Sequence, residues 1–109
     1  MQDKLPGITH LQFVVLGLLH GGEQAGREVR EVLVRYGVKS TTAAFYQMMA
    51  RLERDRLIEG WYGQVTIGDQ AVTERRYRLR PPGERLWREA RAFYASAPPA
   101  RARRGLSDA

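Results

Sequence analysis

Two apolar stripes of identical spacing flank one glycine, and together they limit the folds open to this chain. Val29, Val32, Leu33 and Tyr36 fall at i, i+3, i+4 and i+7, and Phe45, Met48, Met49 and Leu52 repeat the pattern. Each set lines one side of a helix with about 3.6 residues per turn. Residues 25–36 (AGREVREVLVRY) read as the first helix, with Glu28, Arg30, Glu31 and Arg35 outward. Glu31 stands four residues before Arg35, the favourable order for an ion pair. Gly37 stops this helix where a left-handed residue is wanted. The next helix begins near Thr41, so only a tight turn separates the two, and such a pair is a helix-turn-helix.

The outer face of the second helix carries Ser40, Ala43, Gln47, Ala50, Arg51 and Arg54, and no acid. Ser40, Thr41 and Thr42 supply hydroxyls where the helix begins, and such residues cap free backbone N–H groups. A helix with a packed back and a front of Ser, Gln and Arg can lie in a DNA major groove. The competing reading is an ordinary solvated surface helix.

The rest of the chain supplies the context. Thr9 is a good N-cap for residues 11–19 (LQFVVLGLL), a run apolar almost all round that predicts a helix buried on most sides. Gly17 inside it marks either close approach by a neighbour or a weak spot, and Gly21 and Gly22 end it. Residues 58–65 (IEGWYGQV) are rich in aromatic and branched side chains, and residues 72–80 (VTERRYRLR) alternate. Gly68-Asp69 between them is a turn signal, so the two runs read as a β-hairpin. Gln70, Thr73, Arg75 and Arg76 are placed at its outer end, while Tyr77 and Leu79 join the core from its base. Pro81 and Pro82 open a last helix over 82–95, whose Leu86, Trp87, Ala90, Phe93 and Tyr94 form a wide apolar stripe. That stripe is more than so small a domain easily hides. Pro98 and Pro99 end the helix, and a basic tail with Arg101, Arg103 and Arg104 is expected to be mobile. The order is helix, helix, helix, hairpin, helix. The fold class is therefore mostly α with a small β-hairpin, a winged helix-turn-helix with an appended C-terminal helix. Residues 1–80 would be the DNA-binding domain, 81–97 a dimerisation helix and 98–109 the flexible basic tail.

Composition narrows the function. At 109 residues with 43% hydrophobic content, one domain with a modest core is expected. Lys plus Arg number 18 against 12 Asp plus Glu, a net charge of +6 that points to a polyanionic partner, nucleic acid first. The chain has no cysteine, which excludes disulfides, thiol nucleophiles and thiolate metal sites. His10 and His20 lack clustered carboxylates, so no metal site is assigned. No apolar run approaches the ~20 residues of a membrane span, and no signal peptide is evident. The expected location is the cytoplasm, with no cofactor.

With that order in place, the chain resembles the PadR family of winged-helix transcriptional regulators, from about Thr9 to Tyr94. LQFVVLGLLHGG (residues 11–22) is similar to the family's first helix and its glycine-containing end. FYQMMARLERDRLIEG (45–60) is similar to the recognition helix running into the wing, with Tyr46, Leu52, Glu53, Leu57 and Ile58 in place. RRYRLRPPGERLW (75–87) is similar to the second wing strand entering the last helix, with Tyr77, Leu79 and Gly83 in place. The resemblance implies a dimer on a pseudo-palindromic operator, usually as a repressor, with the last helix making the dimer. It also implies, for some members, release of DNA by a small aromatic effector bound in a dimer-interface pocket. The chain departs from the family at several points. Ala25 and Arg27 replace the His and Tyr that flank Gly26, Gln47 replaces a proline, and Arg56 replaces the glycine ending the recognition helix. If the backbone at Arg56 has positive φ, arginine costs about 1 kcal/mol relative to glycine. The last helix is also shorter than in many relatives.

Gln47 and Arg51 are the first choices for base-edge contacts, since Gln pairs with adenine and Arg with guanine. Ser40, Thr41 and Thr42 combine capping with phosphate binding at a helix N-terminus, and Lys39 is a further phosphate contact. Tyr46 either packs fully or packs its ring while its hydroxyl reaches a phosphate. Gln70 and Thr73 belong to the wing's contact, and Arg75 and Arg76 point to opposite sides, one to DNA and the other to the protein surface. Trp61 either covers the core or sits on the wing surface. Trp87 either packs in the dimer interface with Leu86, Ala90, Phe93 and Tyr94 or lines an effector pocket. The leading expectation is a sequence-specific regulator of double-stranded DNA acting as a homodimer. The alternative is a winged-helix protein-interaction module, an adaptor or anti-repressor. Catalysis is not expected, because the sequence has no cysteine, no paired carboxylate at acid/base spacing and no phosphate-binding glycine loop.

Overall fold

The computed structural model describes residues 7–96. The expected basic tail, and position 97 of the segment expected as a dimerisation helix, lie outside the described residues. Helices α1 (His10–His20), α2 (Gly26–Arg35), α3 (Thr42–Arg54) and α4 (Pro81–Ser96) surround strands β1 (Gln24–Ala25), β2 (Ile58–Ile67) and β3 (Gln70–Leu79). None of the helices among the described residues is long and apolar enough to cross a membrane.

Local chemistry starts and stops these elements. Thr9 Oγ1 accepts from the Gln12 amide and Gln12 Oε1 accepts from the Thr9 amide, both at 3.0 Å, a reciprocal box that caps α1. Glu28 Oε1 accepts from the Ala25 amide at 2.8 Å and starts α2. α2 ends with the Gly37 amide donating to the Val34 carbonyl (2.9 Å) and Val38 to that of Leu33 (3.0 Å). α3 ends identically, Arg56 donating to Glu53 (2.9 Å) and Leu57 to Leu52 (3.0 Å). Both are Schellman caps, which need a left-handed residue. Gly37 supplies it with φ +85° and Arg56 with φ +61°.

Two expectations need correction. Tyr36 is not part of the α2 stripe. The helix stops at Arg35, and Tyr36 turns outward, 73% exposed, while Val38 packs against the core instead. The wing is also more than a hairpin. β1 joins it, Gln24 opposite Tyr77 and Ala25 opposite Arg76, to give an antiparallel sheet of order β1-β3-β2. β2 and β3 run longer than expected, from Ile58 opposite Leu79 out to Ile67 opposite Gln70, so only Gly68 and Asp69 form the turn. Positive φ falls on Gly68 but not on Asp69, as in a type II′ turn.

The core gathers Val15, Leu16 and Leu19 of α1, Val29 and Leu33 of α2, and Phe45, Met48, Met49 and Leu52 of α3. Ile58 and Tyr77 seal it from the sheet. α3 thus buries its entire apolar stripe and holds its other side outward. α4 returns across α1, where Gly17 leaves room for the Trp87 ring; a Cβ there would stand 2.9 Å from Trp87 Nε1. Gly83 lies so close to the Leu57 carbonyl oxygen that no side chain fits.

Candidate nucleic-acid interface

Among the described residues, nothing covers the outer face of α3. Lys39, Ser40, Thr41, Thr42, Ala43, Gln47, Ala50, Arg51 and Arg54 are all exposed. Thr41 is the N-cap, its Oγ1 accepting from the Ala44 amide at 3.0 Å. That leaves the Ser40 and Thr42 hydroxyls beside the positive end of the helix dipole. Arg30 Nη2 donates to the Ser40 carbonyl at 3.4 Å and ties α2 to the turn. The one acid in α3, Glu53, is half-buried and engaged by Arg75. The face therefore presents cations and neutral hydrogen-bonding groups. Tyr46 takes the intermediate position: its ring is partly buried edge-to-face on Phe45, centroids 4.9 Å apart. Gly26 makes this possible, since a Cβ there would meet Tyr46 at 2.9 Å and Tyr77 at 3.0 Å.

The wing separates its two neighbouring arginines. Arg75 lies mid-hairpin, opposite Tyr62, rather than at the outer end. It faces α3, with Nη2 donating to Glu53 Oε1 at 2.6 Å and the guanidinium over the Tyr62 and Tyr77 rings at 4.8 and 5.8 Å. Arg76 faces the other way. Its Nε donates to Glu23 at 2.7 Å and its Nη1 to Glu74 at 2.8 Å, and Arg27 reaches the same Glu74 at 3.3 Å. The Glu23 hydrogen bond, more than any other contact, raises the Arg76 pKa above its ordinary value, and the ion pairs with Glu23 and Glu74 commit the guanidinium to its own chain. Gln70 and Thr73 are exposed toward the tip. Trp61 is half-buried on the wing, with Arg78 5.5 Å above its ring. Burial pushes the Tyr77 phenol up to about 12, so it stays neutral.

The apolar stripe of α4 is divided. Ala90 is fully buried within the chain, so it offers no surface to a second copy, contrary to the expectation from the stripe alone. The Trp87 ring stacks on His20 at 4.2 Å and lies 6.5 Å from Phe13. Leu86 and Phe93 are half-buried and Tyr94 is 51% exposed.

Strands β2 and β3 flank a capped, outward-facing α3, and α4 crosses back over α1. That arrangement recurs in solved structures. A PadR family transcription regulator from Clostridium difficile matches with a TM-score of 0.68 and 14% identity, over 80% of this chain and 88% of that one. The fold is that of the PadR regulators. A PadR family regulator from Eggerthella lenta matches with a TM-score of 0.61 and 25% identity, over 78% of this chain and 71% of that one. Bacillus subtilis PadR, solved in complex with operator DNA, matches with a TM-score of 0.60 and 17% identity. It covers 92% of this chain, which spans 54% of that one. No protein-family model matches this sequence. No curated protein matches it either.

Within this PadR-type fold, Tyr62, Glu53 and Gly60 lie against Arg75, and sequence reasoning did not bring them together with it. A signal was available. Taking Gly68-Asp69 as a two-residue turn sets Ile67 opposite Gln70, and counting back sets Tyr62 opposite Arg75 and Gly60 opposite Tyr77. The contact of Arg75 with α3 had no such local trace.

Proposed function

We propose that this protein is a sequence-specific DNA-binding transcriptional regulator, a repressor that binds a pseudo-palindromic operator as a dimer. The observation that carries the reading is the outer face of α3, basic and hydrogen-bonding along its length, free of unpaired acid and, among the described residues, uncovered. Gln47 and Arg51 read base edges, while Lys39, Ser40, Thr41 and Thr42 hold phosphates around the helix N-terminus. Gln70, Thr73 and Arg75 follow the adjoining backbone, with Tyr46 beside them, and Arg76 stays on the protein surface. α4 joins two copies through Leu86, Phe93 and Tyr94, so that two α3 helices meet half-sites about one helical turn, ~34 Å, apart. A small aromatic effector would act at that interface, near Trp87. The protein would work in the cytoplasm, without catalytic activity and without a cofactor.

Binding to DNA from the gene's own upstream region, against scrambled DNA at two salt concentrations, tests this. A preference of at least ~100-fold for the cognate site is expected, with affinity falling steeply as salt rises. Gln47→Ala should lower the preference, and Lys39→Ala should weaken binding to all DNA about equally. Weak, salt-sensitive binding without preference would instead favour the protein-interaction module.

A further inference from the structure

We propose that the cleft between α3 and the wing seats a DNA phosphodiester, gripped by Arg75 and Tyr62, and that Glu53 sets the strength of that grip. The inference rests on the DNA-binding reading of α3. The cleft is open to solvent, measures about 580 Å³ and is lined by Tyr46, Ala50, Glu53, Tyr62, Arg75 and Tyr77. Ala50 belongs to the exposed front of α3, so the cleft opens beside the surface assigned to the major groove.

Its cationic and hydrogen-bonding groups suit an anion. The Arg75 guanidinium is held over the Tyr62 ring at 4.8 Å, and Tyr62 is itself 72% exposed. Glu53 takes an Nη2 donor of Arg75 at 2.6 Å. A guanidinium carries five N–H donors in a rigid fork, so one carboxylate oxygen does not exhaust it. Gly60 makes the pair possible, because a Cβ there would stand 2.8 Å from Glu53 Oε1 and 3.0 Å from Arg75 Nη2.

Glu53 therefore acts in two opposed ways. Its hydrogen bond aims the guanidinium, and its charge cancels much of the field that a phosphate would feel. A glutamine at this position keeps an oxygen to accept from Arg75 and removes the opposing charge. A purely structural latch predicts that this change weakens DNA binding by loosening the wing. A tuned phosphate seat predicts the reverse sign.

The test measures Glu53→Gln and Tyr62→Phe on cognate and scrambled DNA across a salt series, with thermal unfolding alongside. Glu53→Gln should bind both DNAs about three- to tenfold more tightly, with a salt slope steeper by about 0.9, because phosphate contacts carry no sequence information. Tyr62→Phe should bind both about threefold more weakly, at an unchanged melting temperature. Glu53→Gln that melts like wild type but binds no more tightly overturns the proposal. If Glu53→Gln is destabilised, Tyr62→Phe decides, and unchanged affinity in that variant overturns it. Wild-type protein that binds no DNA removes both this inference and the function beneath it, whereas wild-type binding with insensitive variants removes this inference alone.

Discussion

Arg56 closes α3 in the left-handed region, at φ +61°, where Gly37 does the same service for α2 at φ +85°. The two caps have the same hydrogen bonds, and only one has the residue that suits them. A Cβ in that conformation crowds the following carbonyl, at a cost of roughly 1 kcal/mol or more. Leu57, the next residue, packs on the core and holds the cap shut regardless. Arg56→Gly is therefore expected to stabilise the protein by about 1 kcal/mol in urea unfolding, at unchanged slope. Arg56 is exposed beyond the end of α3, so affinity for DNA should not change.

At the scale of elements, the attachment of α4 to α1 combines a tight fit with a small charged cluster. Gly17 admits Trp87, whose ring stacks on His20, and Glu84 Oε1 lies 3.1 Å from His20 Nδ1. Arg88 Nε donates to the other Glu84 oxygen at 2.7 Å. Hydrogen bonds from His20 and then Arg88 hold the Glu84 carboxyl below its ordinary value. A depressed carboxylate contributes stability above its unfolded pKa, about 4.3, and loses it as pH falls through that value to the lower folded one. Glu84→Gln should therefore melt at a lower temperature than wild type at neutral pH. The gap should close as the pH drops below the usual glutamate range, measured by thermal unfolding across that series.

At the scale of the molecule, what remains of the α4 stripe bears on assembly. Ala90 and much of Trp87 are spent inside the chain, leaving Leu86, Phe93 and Tyr94 along the outer side. Tyr94 touches its own chain through Phe13, centroids 5.9 Å apart, yet stays half-exposed. If this ridge joins two copies, a charge placed on it should separate them. Tyr94→Glu is expected to shift the sedimentation mass from dimer to monomer and to weaken operator binding while the helical circular dichroism signal is kept. An unchanged mass would remove α4 as the dimer contact.

Much of this architecture was legible in order of residues alone. The stripes at Val29–Leu33 spacing and Phe45–Leu52 spacing, the stop at Gly37, the cap at Thr9 and the Gly68-Asp69 turn are local devices. Each acts within a few residues, so each leaves a local mark, and the exposed front of α3 follows from its buried back. Three features were settled only by tertiary structure. β1 is two residues long, too short for any alternation, and exists because β3 passes beside it. Ala90 is buried and Tyr36 exposed because of where α4 and the end of α2 come to rest. Arg75 and Arg76 differ in fate because carboxylates far away in sequence, Glu53 on one side and Glu23 on the other, arrive beside them. Periodicity reports which face an element turns inward; what waits there depends on contacts between distant parts of the chain.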